Sequence, residues 1–71
     1  MTPEEWVRRF AEQAGAEPPT QEQMDEILRL AAVAAHSSER IAAPIACWIA
    51  GTTGRPVSEL RELAEGLATE G

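Results

Sequence analysis

The polar residues best suited to chemistry lie in one stretch, HSSER, at residues 36–40, which holds the only histidine of the chain. A hydrolytic triad needs a nucleophile, a base and an orienting acid in contact. Neighbouring residues on a helix diverge by about 100°, so the adjacency of His36 and Ser37 does not indicate such a triad. One histidine and one cysteine also fall short of the cluster that a catalytic metal site requires. We predict no catalytic residue, no metal site and no cofactor.

His36 and Arg40 are candidates for a different role, a small cationic patch that binds an anionic group or the carboxylate of a partner. They lie one helical turn apart if the helix continues through them. Arg55, in the sequence GTTGRP, is a third candidate, although that loop lacks the lysine of a P-loop and is typical of a plain turn. The alternative is structural: a cation near a helix C-terminus stabilises the helix by about 0.3–1 kcal/mol, and Arg40 pairs with Glu39.

Composition excludes several classes of protein. The net charge of −6 opposes binding to nucleic acid and to an anionic membrane surface. A single cysteine, Cys47, permits no internal disulfide, and its apolar neighbours indicate a small buried side chain rather than a reactive thiol. The opening MTPEEW lacks the basic start of a signal peptide, and no apolar run is long enough to span a bilayer, so we expect a cytoplasmic protein.

The elements that position these residues are helices, because apolar residues recur with helical spacing and no alternating strand pattern appears. Thr2 and Thr20 are N-caps, each followed by Glu or Gln three residues later, and Gly15 and Gly51 are expected terminators. The fold class is all-α, a single domain over residues 1–71. The predicted helices are 3–15, 21–37, 42–50 and 58–68.

The third helix, in the run IAAPIACWIA, has no polar face, and a helix that is apolar all round is a buried one. We predict that it is the central helix, packed by the other three or by a second copy of the protein. Truncating Trp48 to alanine should then destabilise the fold by about 3–5 kcal/mol. The predicted core anchors are Trp6, Phe10, Leu28, Ile45 and Trp48.

The segments EEWV and LRLAAVAAH…ERIAAPIACWIAG resemble a family of small actinobacterial domains of unknown function. Members of that family occur alone or as a C-terminal extension of molybdenum-cofactor guanylyltransferase-like proteins, and some are named molybdopterin-guanine dinucleotide biosynthesis proteins. The resemblance covers residues 4–68 and is most specific over residues 36–51. It implies an accessory module, because the glycine-rich loop and metal-binding acids of such an enzyme are absent from this chain.

These observations predict a non-catalytic helical module that binds a protein partner, with a molybdenum-cofactor guanylyltransferase as the partner that the resemblance implies. Two alternatives remain open. The patch of His36, Arg40 and Arg55 could hold a nucleotide or pterin phosphate, or the chain is a simple homodimer whose third helices pack together.

Overall fold

The computed structural model describes residues 1–70 and consists of four helices joined by short connections. They are α1 (Pro3–Ala14), α2 (Gln21–Ser37), α3 (Ala42–Thr53) and α4 (Val57–Ala68). No strand occurs in this range. The predicted all-α bundle is confirmed. The single domain over residues 1–71 stays a prediction, and its last residue, Gly71, lies outside the described part of the chain.

Side-chain caps fix the starts of the first two helices. The N–H of Glu5 donates to Thr2 Oγ1 at 3.2 Å. At α2 the capping box is complete, because the N–H of Gln23 donates to Thr20 Oγ1 and the N–H of Thr20 donates to Gln23 Oε1, at 3.1 and 2.8 Å. Backbone N–H groups without an intrahelical partner are thus satisfied, as the sequence pattern predicted.

The predicted end of the third helix is wrong by one turn. Gly51 lies inside α3, and the helix ends at Gly54, whose φ of 70° is left-handed. Thr52 and Thr53 continue the helix with their hydroxyls donating back to the carbonyls of Ile49 and Ala50. Gly54 terminates α3 because a glycine adopts this conformation without steric cost, which other residues do not.

The central helix is α2, not α3. It packs against both α3 and α4, whereas α3 and α4 scarcely meet each other. Leu30, in the middle of α2, has the lowest exposure described, at 3%. Leu28, a predicted core anchor on the same helix, is exposed instead.

All five predicted core anchors are exposed in the single chain, so their assignment to the core of the monomer is wrong. The physical reason is clearest in α3, where small side chains face inward and large ones outward. The buried or half-buried residues of α3 are Ala42, Ala43, Ala46, Cys47 and Ala50. The exposed anchors are Trp6, Phe10, Leu28, Ile45 and Trp48.

The first helix stands apart from the other three. None of its Cα atoms lies within 8 Å of a Cα atom in α2, α3 or α4. A cleft of about 330 Å³, lined by Val7, Pro19 and Met24 among others, separates α1 from α2. The radius of gyration is accordingly 12.7 Å, above the roughly 11 Å typical of a compact chain of this length. Within residues 1–70, no helix has the length and apolarity needed to cross a membrane.

Candidate interaction surface

The structure does not place His36 and Arg40 one helical turn apart. The α2 helix ends at Ser37, and Ser38, with φ −136° and ψ −107°, breaks the helical path. Arg40 lies in a tight turn, where its carbonyl accepts from the N–H of Ala43 at 3.2 Å. Both side chains are exposed, and neither takes part in an ion pair among residues 1–70, so the predicted pair between Arg40 and Glu39 does not form.

Arg55 does not join these two residues. It follows the opposite end of α3 from Arg40, and a helix of that length spans about 18 Å. Its Nε lies 2.9 Å from Glu59 Oε2, so its charge already has a partner. The predicted three-residue anion patch is therefore not assembled in this structure.

The strongest polar contact of the fold was missed from the sequence. The Arg61 side chain lies between α2 and α4, where Nε and Nη2 donate to the two carboxylate oxygens of Glu26 at 2.8 and 3.3 Å. Nη1 also donates to Glu65 at 2.9 Å. The hydrogen bonds from Arg61 lower the pKa of Glu26, and those to Glu26 and Glu65 raise the pKa of Arg61. Glu26 and Arg61 are 35 positions apart in the sequence, so no local sequence pattern predicts their contact.

Cys47 is half-buried against α2, with Sγ 4.0 Å from the carbonyl oxygen of Ile27. Burial raises the pKa of its thiol. Because the thiolate is the reactive form, this environment disfavours nucleophilic chemistry. The side chain acts as a small packing residue between α2 and α3.

The outward side of α3 presents a continuous row of large apolar side chains, formed by Ile41, Ile45, Trp48 and Ile49, which we call the α3 face. Each of them is more than half exposed, and Trp48 is 72% exposed. A signal for this arrangement is present in the sequence. Large residues at 41, 45, 48 and 49 and small ones at 42, 43, 46, 47 and 50 each recur with helical spacing, so residue size, rather than polarity, distinguishes the two sides of α3.

Beside the α3 face, an apolar groove of about 470 Å³ runs between α3 and α4. Its walls include Ile45 and Ile49 from α3 and Leu67 from α4. Val33 of α2 contributes to its lining, and Glu39 lies at the end near the α2–α3 turn. We call this feature the α3–α4 groove. It exists because both helices pack on α2 but scarcely on each other.

In the described residues, no three His, Cys, Asp or Glu side chains lie close enough together to hold a metal ion. The candidate site is an exposed apolar surface, formed by the α3 face and the α3–α4 groove.

Comparison with known proteins identifies a family that the chain matches. A family model described as a domain of unknown function, DUF6457, matches residues 1–70. No curated protein and no solved structure shows significant similarity to the chain.

Proposed function

The chain belongs to the DUF6457 family of domains of unknown function, and from its surface we propose that it is a non-catalytic protein-interaction module that docks through the α3 face. The observation that carries this proposal is the exposure of Trp48, the largest side chain of a helix with no charged residue. Tryptophan is enriched among the few residues that dominate binding energy at protein interfaces. A partner that covers Trp48 and Ile41 gains the apolar burial that the monomer leaves unused.

The finer proposal concerns the partner. The resemblance of residues 36–51 to domains fused to molybdenum-cofactor guanylyltransferase-like proteins suggests that enzyme as the protein that the α3 face contacts. The domain then acts as an accessory to molybdopterin-guanine dinucleotide synthesis. Burial of Cys47, which raises its pKa, fits a role in contact rather than in catalysis.

Calorimetric titration of the domain with the molybdenum-cofactor guanylyltransferase of the same organism tests both parts. We expect saturable heat at micromolar concentration. The Trp48→Ala variant should bind about tenfold or more weakly, as interface tryptophans do. The matched control is Leu28→Ala, which removes an equally exposed apolar side chain from α2 and should leave affinity unchanged.

Two results would contradict these proposals separately. Absence of heat at two temperatures rules out this enzyme as the partner, because apolar burial makes the binding enthalpy change with temperature. Heat that Trp48→Ala does not reduce rules out the α3 face as the docking surface, whatever the partner is.

A further inference from the structure

The chain exposes more surface than a compact monomer of its mass. Its accessible area is 5559 Å², whereas a folded monomer of 7.7 kDa exposes about 4,300 Å². The excess of about 1,200 Å² exceeds the roughly 800 Å² that each partner buries in a typical stable interface. Among residues 1–70, no large side chain is fully buried. These areas favour a second copy of the chain as part of the folded unit.

One uncovered surface lies on α1. Trp6 and Phe10 stack with their ring centroids 5.2 Å apart, and their side chains are 57% and 59% exposed. Arg9 borders this stack and forms no ion pair among residues 1–70. The stack, with Arg9, forms what we call the α1 face. Within the described part of the chain, none of the helices α2, α3 and α4 packs on it.

The complementary surface is the α3–α4 groove. Its lining on the α3 side runs from Ile41 to Ile49, about 12 Å along the helix axis, which exceeds the roughly 6 Å that separate Trp6 and Phe10 along α1. Its lining is apolar, and Leu67 in its wall is 68% exposed. Glu39 at one end supplies a carboxylate without an ion pair in the described residues, opposite in charge to Arg9.

We propose that the chain forms a symmetric dimer in which α1 of each copy occupies the α3–α4 groove of the other. Trp6 and Phe10 then pack against Ile49 and Leu67 of the second copy, and Arg9 approaches its Glu39. Trp6 and Phe10 are each more than half exposed, so each of the two contacts buries aromatic area together with the apolar walls of the groove. A two-fold axis makes the contacts equivalent and closes the assembly at two copies. Ile41, Ile45 and Ile49 belong to both the α3 face and the groove, whereas Trp48 lies outside the groove lining, so the dimer leaves Trp48 itself for a partner.

The test is the mass of the full chain by sedimentation equilibrium over a range of concentrations, at 0.15 M salt. At this ionic strength the Debye length is about 8 Å, which limits repulsion between two chains of net charge −6. We expect a dimer for the unmodified chain. Phe10→Arg on the α1 face and Leu67→Arg in the groove should each weaken dimerisation about tenfold or more, because each places a charge in both equivalent contacts.

Ala32→Arg is the matched control, because Ala32 is exposed on α2 and lines neither surface nor the cleft between α1 and α2. It should remain dimeric. Circular dichroism should show unchanged helix content in all three variants, since each substitution is made at an exposed position.

A mixture of the two arginine variants distinguishes this arrangement from packing of α3 on α3. The Phe10→Arg chain retains an intact groove and the Leu67→Arg chain retains an intact α1 face, so one of the two contacts can re-form between them. We expect heterodimers in the mixture under conditions where each variant alone is monomeric. A monomeric unmodified chain, a dimer that Phe10→Arg does not weaken, or a mixture without heterodimers would each overturn the proposal. The binding of a partner through Trp48 is tested separately, by the calorimetric comparison of Trp48→Ala with Leu28→Ala.

Discussion

The Arg61 guanidinium holds both carboxylate oxygens of Glu26 across the contact between α2 and α4, and this pair joins helices that are distant in the sequence. Its side chains are only 14% and 19% exposed. A bidentate arginine–carboxylate contact combines charge with fixed geometry, so it specifies how α4 lies on α2 as well as stabilising the contact.

The pair predicts a defined dependence of stability on pH. Arg61 lowers the pKa of Glu26 in the folded protein below its ordinary value of 4.5, so the stabilisation is fully present above about pH 4.5. It is lost as the pH falls through the lower, folded-state pKa. We expect Glu26→Gln to lower the urea midpoint at pH 7, and the difference from the unmodified chain to shrink in acid. Urea unfolding followed by circular dichroism at a series of pH values measures this.

Glu62→Gln is the control for that experiment, because Glu62 is exposed on α4 and forms no ion pair among residues 1–70. It removes the same charge without removing the bridge and should leave the midpoint at pH 7 nearly unchanged. Equal losses of stability in the two variants would mean that total charge, not the contact with Arg61, governs the effect.

The two sides of the packing predict opposite results from alanine substitution. Leu30→Ala creates a cavity at the most buried side chain described and should reduce the free energy of unfolding by about 2–5 kcal/mol. Trp48→Ala removes a larger side chain that is mostly in solvent. In a purified sample without a binding partner, it should change the free energy of unfolding by about 0.5 kcal/mol or less. Chemical denaturation of both variants measures this difference. A larger loss of unfolding free energy for Trp48→Ala than for Leu30→Ala would mean that Trp48 is packed in the core after all.

The glycine that ends α3 predicts a further pair of outcomes. Gly54 has φ 70°, and an added Cβ there would meet nothing within 4 Å, so only backbone strain penalises Gly54→Ala, by about 1–2 kcal/mol. Gly66 lies within α4 with equally open space around it, and Gly66→Ala should instead stabilise by about 0.5–1 kcal/mol. Thermal unfolding of the two variants should shift in opposite directions; shifts of the same sign would contradict the left-handed end of α3.

The capping box of α2 predicts that removing one hydroxyl group, that of Thr20, measurably reduces the stability of the fold. Thr20→Ala leaves the N–H of Gln23 without its acceptor and should reduce stability by about 0.5–2 kcal/mol. Thr52→Ala is the control, because that hydroxyl donates to a carbonyl within α3 and caps no free N–H group. Equilibrium denaturation should show the loss in the first variant only.

The helices were predictable because residues next to each helix end determine where it begins or stops. Thr2, Thr20 and Gly15 act within three or four positions of themselves, so the sequence alone locates three helix ends. Gly51 misled the prediction because a glycine permits a helix end without requiring one.

The packing was not predictable from polarity. An apolar stripe indicates a buried side only when the remaining side is polar, and α3 has no polar side. Side-chain size decided the outcome, since alanines at 42, 43, 46 and 50 and Cys47 make up the more buried side of α3 and leave Trp48 outside. The packed side of α2 also includes Glu26, which a pattern of apolar residues assigns to the solvent side. Its carboxylate lies there because Arg61, distant in the sequence, supplies the opposite charge. The candidate surface was missed for the same reason, because large apolar residues were assumed to be core.

The separation of α1 from the remaining helices has a consequence for amide hydrogen exchange. Regions that share few packed contacts open locally, whereas a central element opens only when the whole fold does. Amides in the middle of α2 should exchange at the rate of global unfolding, while those of α1 exchange far faster in a dilute sample. If a second copy covers α1, the protection of the α1 amides alone rises with protein concentration. Exchange from α2 then measures the stability that the chain's own packing provides, and exchange from α1 measures the stability of the association between two copies.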